Sequence, residues 1–163
     1  EGIDHDPDLP VGVMIEVPSA VMVIDRLLDE VDFISIGTND LIQYALAADR
    51  SNKDVAQLYQ ASDPGVLRLI ERSIQAAEDA GIPASVCGQM SGMPCYIPLL
   101  LGMGLRGFSV PPSSIPEVKQ VCRSVTIAQC KEIADQAMRM DDAQQINQFL
   151  TRELQTIAPE LVA

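Results

Sequence analysis

Hydrophobic positions along the chain fall into two alternating textures. Short, nearly continuous apolar runs occur at residues 11–17 (VGVMIEV), 32–37 (DFISIG), 83–89 (PASVCGQ) and 107–110 (GFSV). Each is followed by apolar residues at helical spacing: AVMVIDRLLDE, PGVLRLIERSIQAAEDAG after a long connection, MPCYIPLLLGMG, and SIPEVKQVCRS. Runs of this length without polar alternation are the pattern of strands buried on both faces. Pro64 stands near the start of the second helical stretch and Gly81 just past its end, the asymmetry expected of a helix. From about residue 126 the period is helical to the end, in TIAQCKEIADQAMRM and DAQQINQFLTRELQTIAPEL.

Strand and helix in alternation predict an α/β fold with a parallel sheet. Two architectures fit, an open doubly wound sheet or part of a (β/α)8 barrel. A whole barrel takes roughly 250 residues, so four units are half of one. The division expected is β/α units over residues 1–125 and a helical extension over 126–163. In either architecture the functional residues gather at the carboxyl ends of the strands.

Polar residues stand at each of those ends. The first strand closes on Glu16, the second on Gly37, Thr38, Asn39 and Asp40, the third on Cys87, Gly88 and Gln89, and the fourth on Ser109 and a Pro/Ser turn. Neighbouring parallel strands lie about 4.8 Å apart, so Glu16 and Asp40 at equivalent ends repel unless a cation lies between them. Mg²⁺ suits such a pair, because it takes one or two carboxylates and completes its octahedron with water and phosphate oxygens. The plainer alternative makes Glu16 a salt-bridged strand end and Asp40 the N-cap of the segment from Leu41. Gly37 lets a ligand approach the backbone. Thr38 and Asn39 can offer donors to an anion, or can form an ordinary turn. Arg50 can clamp a phosphate or carboxylate, or be a solvated arginine at a helix end. Cys87 closes a strand on the same face. An ordinary thiol is mostly protonated near neutrality and can give up a proton; equally, free cysteine is often a small buried hydrophobe. Cys95, Cys122 and Cys130 are expected in the core, and Met14, Met22, Met90, Met93 and Met103 as packing residues.

Charge and composition narrow the classes. The chain of 163 residues is 47% hydrophobic and carries a net charge of −12. No basic stripe is visible, which argues against nucleic acid or an anionic membrane as partner. The four cysteines form no CxxC pair and His5 is the only histidine, so a zinc site is not expected. No signal peptide or membrane span is read, and a reducing cytoplasm is the expected location. The polar opening EGIDHDPDLP, without an initiator methionine, reads as a loop at which a longer protein was cut.

GVMIEVPSA, VDFISIGTNDLIQYALAADRSN, LYQASDPGVLRLI, CGQMSGMP, LLLGMGL and SIPEVK resemble, in order and approximate spacing, Enzyme I of the bacterial phosphoenolpyruvate:sugar phosphotransferase system and its nitrogen-related paralogue. The resemblance runs from about residue 10 to residue 125, and the stretch at 32–52 is its most specific part. Pyruvate phosphate dikinase and phosphoenolpyruvate synthase are more distant relatives. The resemblance implies the second half of a phosphoenolpyruvate-binding (β/α)8 barrel, Mg²⁺ as cofactor, a homodimer, and a phospho-carrier protein as partner. It implies Glu16 and Asp40 as Mg²⁺ ligands, Asn39 and Arg50 as contacts to phosphoenolpyruvate, and Cys87 as the acid that protonates enolpyruvate to pyruvate.

The chain departs from that pattern in two places. Gln89 stands where Enzyme I usually has Glu, and Met93 stands where the family's AGDP has its acid. The phosphohistidine motif and the first-half arginines lie outside this sequence, so the half-barrel alone is expected to be inactive. A phosphoenolpyruvate-sensing or dimerisation module with decayed catalysis is the non-enzymatic alternative. Two open strand edges predict self-association.

Overall fold

A computed structural model describes residue 2 and residues 4–161. Four strands, β1 (Gly12–Ile15), β2 (Phe33–Gly37), β3 (Ala84–Cys87) and β4 (Gly107–Phe108), form one parallel sheet in sequential order. The register sets Ile15 beside Ile36, Gly37 beside Cys87, and Val86 beside Phe108. Alternation along each strand sorts side chains onto two faces. Ile15, Ile34, Ile36 and Val86 face the helices and are fully buried. Gly12, Met14, Phe33, Ser35, Gly37, Ser85 and Cys87 share the other face, where Met14 and Phe33 are 48% and 40% exposed. Sequential order with helices on one face only is the arrangement of half a (β/α)8 barrel. A doubly wound sheet reverses its strand order and is covered on both faces.

The helices follow local chemistry. The run after β1 forms two short helices, α1 (Pro18–Met22) and α2 (Ile24–Leu28), where the sequence pattern gave one; the break falls at Val23, whose backbone (φ −115°, ψ 22°) leaves the helical region. The third helix, α3 (Thr38–Leu46), starts immediately at the end of β2. The fourth, α4 (Pro64–Ala80), is capped by the Asp63 carboxylate, which accepts from the backbone N–H of Gly65 and Val66, and ends on Gly81 at φ 71°. After β3 the chain makes two 3₁₀ turns before α5 (Ile97–Gly102), which carries Pro98 in its first turn, where the missing N–H costs nothing. The fourth strand is two residues long; Pro111 and Pro112 stop it, although the Ser109 N–H still donates to the Val86 carbonyl.

The last helices are α6 (Ile115–Ser124), α7 (Ile127–Ala137) and α8 (Ala143–Ile157). A reciprocal capping box between Thr126 and Gln129 starts α7, and the Asp142 side chain caps α8. Ile133, Ala137, Ile146, Phe149 and Leu150 join the same core as the strands. The α5–α7 crossing needs Gly102, since a Cβ there would collide with the Cys130 backbone. Among the described residues no helix is long and apolar enough to cross a membrane.

Candidate active site

Two glycines let the strand ends close up. Glu16 follows β1 directly and lies over Gly37. A Cβ on Gly37 would sit 2.9 Å from the Glu16 Cβ and 3.0 Å from its Oε2. Gly88, just past β3, has φ 96°, and a Cβ there would sit 2.5 Å from the Thr38 hydroxyl oxygen and 2.9 Å from Asn39 Oδ1. The first turn of α3 therefore rests on the end of β3. Thr38, fully buried, donates its hydroxyl to the Cys87 carbonyl at 2.8 Å. Asn39 Oδ1 accepts from the Gln89 backbone N–H at 2.9 Å. That bond fixes the amide, so Nδ2 is the group left to donate to a ligand.

Asp40 falls inside the first turn of α3 rather than at its N-cap, because the helix already begins at Thr38 with Gly37 as the cap residue. Both Asp40 and Glu16 are half-buried, and neither makes an ion pair with a described residue. Among the described residues no three His, Cys, Asp or Glu side chains converge as a metal cluster. Two carboxylates at adjacent strand ends thus make up the acidic donor set. That set fits Mg²⁺, which keeps waters and substrate oxygens, better than it fits zinc or calcium.

Cys87 is half-buried. Its Sγ accepts a hydrogen bond from the Ser35 hydroxyl at 3.3 Å, and its S–H reaches the Ile36 carbonyl at 3.6 Å. It opens onto a cavity of about 700 Å³ lined also by Asn39, Gln89, Met93, Ser109 and Ser114. The other three cysteines lie elsewhere. Cys130 is buried as expected and Cys95 half-buried, and burial pushes both thiols up. Cys122 is exposed, contrary to expectation, because it lies on the outer side of α6. Met90 and Met103 pack in the core, whereas Met14, Met22 and Met93 are exposed. Met14 lies on the uncovered face of the sheet and Met93 borders the thiol cavity.

Arg50 is exposed on the connection after α3. It comes back toward the strand ends beside Tyr59. Burial raises the Tyr59 hydroxyl above its ordinary range, with the Arg50 charge pulling it down and the Asp40 charge pushing it up. The same hydroxyl donates to the Asn39 carbonyl at 3.0 Å. The structure therefore brings Glu16, Gly37, Thr38, Asn39 and Cys87 together, with Asp40 and Arg50 both near the Tyr59 hydroxyl. Sequence reasoning missed Tyr59 and Ser35. Ser35 was reachable by strand alternation, two residues before Gly37; Tyr59 sits in an irregular connection and carries no such signal.

The fold is a single parallel half-barrel with carboxylates, an amide and a thiol at its strand ends. Residues 1–127 match the PEP-binding domain of the PEP-utilising enzymes, and the chain belongs to that family. It is 45% identical over 142 residues to a phosphoenolpyruvate-protein phosphotransferase of Enterococcus faecalis, covering 87% of this chain and 25% of that protein. It is 44% identical over 144 residues to the phosphotransferase of the same name from Cupriavidus necator, covering 88% and 25%. A multiphosphoryl transfer protein of Escherichia coli is 41% identical over 151 residues, covering 93% and 18%. The chain thus spans a quarter or less of these relatives.

Proposed function

We propose that this chain carries the phosphoenolpyruvate site of an Enzyme I-type phosphoenolpyruvate-protein phosphotransferase. The observation that supports it most is the gathering of Glu16, Asn39 and Cys87 at neighbouring strand ends, where Gly37 and Gly88 make room for the Glu16, Thr38 and Asn39 side chains and Asp40 follows in the same helical turn as Asn39. Glu16 and Asp40 would hold Mg²⁺, which neutralises phosphate charge when bound. Asn39 Nδ2 donates to the substrate and Arg50 clamps the anion from the rim. Transfer of the phosphoryl group to a histidine on another domain leaves the enolate of pyruvate. The Cys87 S–H bond then breaks and a C–H bond forms at the methylene carbon, giving pyruvate and a thiolate. In reverse, the thiolate takes that proton back. The acceptor histidine, the downstream phospho-carrier and the homodimer belong to the same proposal.

The test uses the full-length gene product. Asp40→Asn is expected to abolish Mg²⁺-dependent phosphoryl transfer from phosphoenolpyruvate. Cys87→Ala is expected to stop pyruvate formation while phosphoenolpyruvate still binds in calorimetry. Full activity of either variant removes that residue from the mechanism.

A further inference from the structure

Beside the thiol stands a hydroxyl with no part in the transfer proposed for this site. Ser35 lies on the uncovered face of β2, half-buried, and its Oγ donates to Cys87 Sγ at 3.3 Å across the β2–β3 pair. The only other polar partner of that sulfur among the described residues is the Ile36 carbonyl, at 3.6 Å. The two partners have opposite preferences. A carbonyl oxygen can accept the S–H of the thiol but gives nothing to a thiolate. A hydroxyl can donate to the sulfur in both states, and its bond becomes charge-assisted once the proton has left. We propose that Ser35 is a positioning residue for Cys87: its hydroxyl holds the sulfur at the strand end and stabilises the thiolate that remains after proton delivery. The proposal rests on the reading of Cys87 as the proton donor.

The surroundings make a single hydroxyl matter. The loops that enclose the thiol contribute Asn39, Gln89, Met93, Ser109 and Ser114, none of them charged. The charged groups on neighbouring elements are carboxylates, Glu16 beyond β1 and Asp40 in the first turn of α3, and both oppose a thiolate. On the strands flanking the thiol, Ser35 is thus the side chain that favours the ionised sulfur. The neighbouring Ser85 hydroxyl donates instead to the Ile34 carbonyl, at 3.4 Å. The transfer itself balances without a further reactant: a proton moves from sulfur to carbon, and the negative charge moves from the enolate to sulfur.

The test is alkylation of this chain by iodoacetamide across a pH series, with the peptide of each cysteine quantified by mass spectrometry. Exposed Cys122 serves as the internal reference. In Ser35→Ala, Cys87 alkylation near neutrality is expected to fall about tenfold, the worth of one hydrogen bond to a charged group. Cys122 should be unchanged, and Ser35→Thr, which keeps the hydroxyl, should restore the parent rate. An unchanged Cys87 profile in Ser35→Ala, or an equal change at Cys122, overturns the proposal. Alkylation needs no turnover, so this result stands apart from the fate of Cys87→Ala, which judges the proton-donor reading itself.

Discussion

The Glu16 carboxylate lies against Gly37, the residue that ends the neighbouring strand. A methyl group on Gly37 would meet the Glu16 Cβ at 2.9 Å, closer than real Cβ contacts allow, and would crowd the Glu16 Oε2 and the Met14 sulfur, both at 3.0 Å. The backbone at Gly37, with φ −81°, accepts any residue. The glycine is therefore needed for space and not for conformation, and the space is where one half of the acidic pair sits.

Gly37→Ala follows from this contact. The added methyl leaves the strand conformation permitted but displaces Glu16, so the fold should persist and the site should not. Calorimetric titration of phosphoenolpyruvate with Mg²⁺ into the full-length protein is expected to show affinity reduced at least about tenfold, with circular dichroism unchanged; one lost contact to a charged group is of that size. Unaltered affinity would show that Glu16 does not depend on the gap, and would count against its place in the site.

Asn39 permits a substitution that separates its two jobs. Asn39→Asp keeps an oxygen to accept from the Gln89 N–H and removes the Nδ2 donor, while adding a negative charge beside the anion site. Folding should be preserved and phosphoenolpyruvate binding lost by about tenfold or more. The measurement is again calorimetry, with thermal melting as the folding control. Retained binding would mean that Asn39 only splints α3 to the end of β3.

Tyr96 gives a pH dependence of stability. It is 3% exposed, and burial pushes its hydroxyl from 10.0 up to about 12, with the Ser62 hydrogen bond opposing. The folded value is raised above the unfolded one, so the contribution is fully present below pH 10 and is lost as the pH rises from 10 toward 12. Across that window the loss reaches about 2–3 kcal/mol. Urea melts at pH 8 and pH 11 should show a smaller pH-dependent loss for Tyr96→Phe than for the parent. Equal losses in both would mean that the Tyr96 hydroxyl is solvated in the folded state.

Several elements were legible before any coordinates. Four apolar runs became four parallel strands because nothing else fits short β-rich segments alternating with helices. Pro64 and Gly81 marked a real helix. The break at Val23 was not legible, since no glycine or proline stands there. The MPCYIPLLLGMG stretch has helical periodicity throughout, yet its start forms a 3₁₀ turn and only Ile97–Gly102 is α-helix. Cys122 read as a core residue and Met14, Met22 and Met93 as packing residues, and all four are exposed, because hydrophobicity in sequence does not say which face of an element will be covered.

By itself, the sequence determined the alternation of strands and helices, the acidic balance, and the set of polar residues placed at strand ends. It did so because strand length, capping and apolar period are local properties of the chain. Only the tertiary structure decided the pairings across strands: Glu16 over Gly37, Asn39 against Gln89, Tyr59 against Asn39, and Ser35 against Cys87. Those contacts join residues up to 52 positions apart, and their distances depend on parallel register and on two glycines that remove side-chain bulk. Local sequence names the groups, but the register of the sheet brings them within hydrogen-bonding distance.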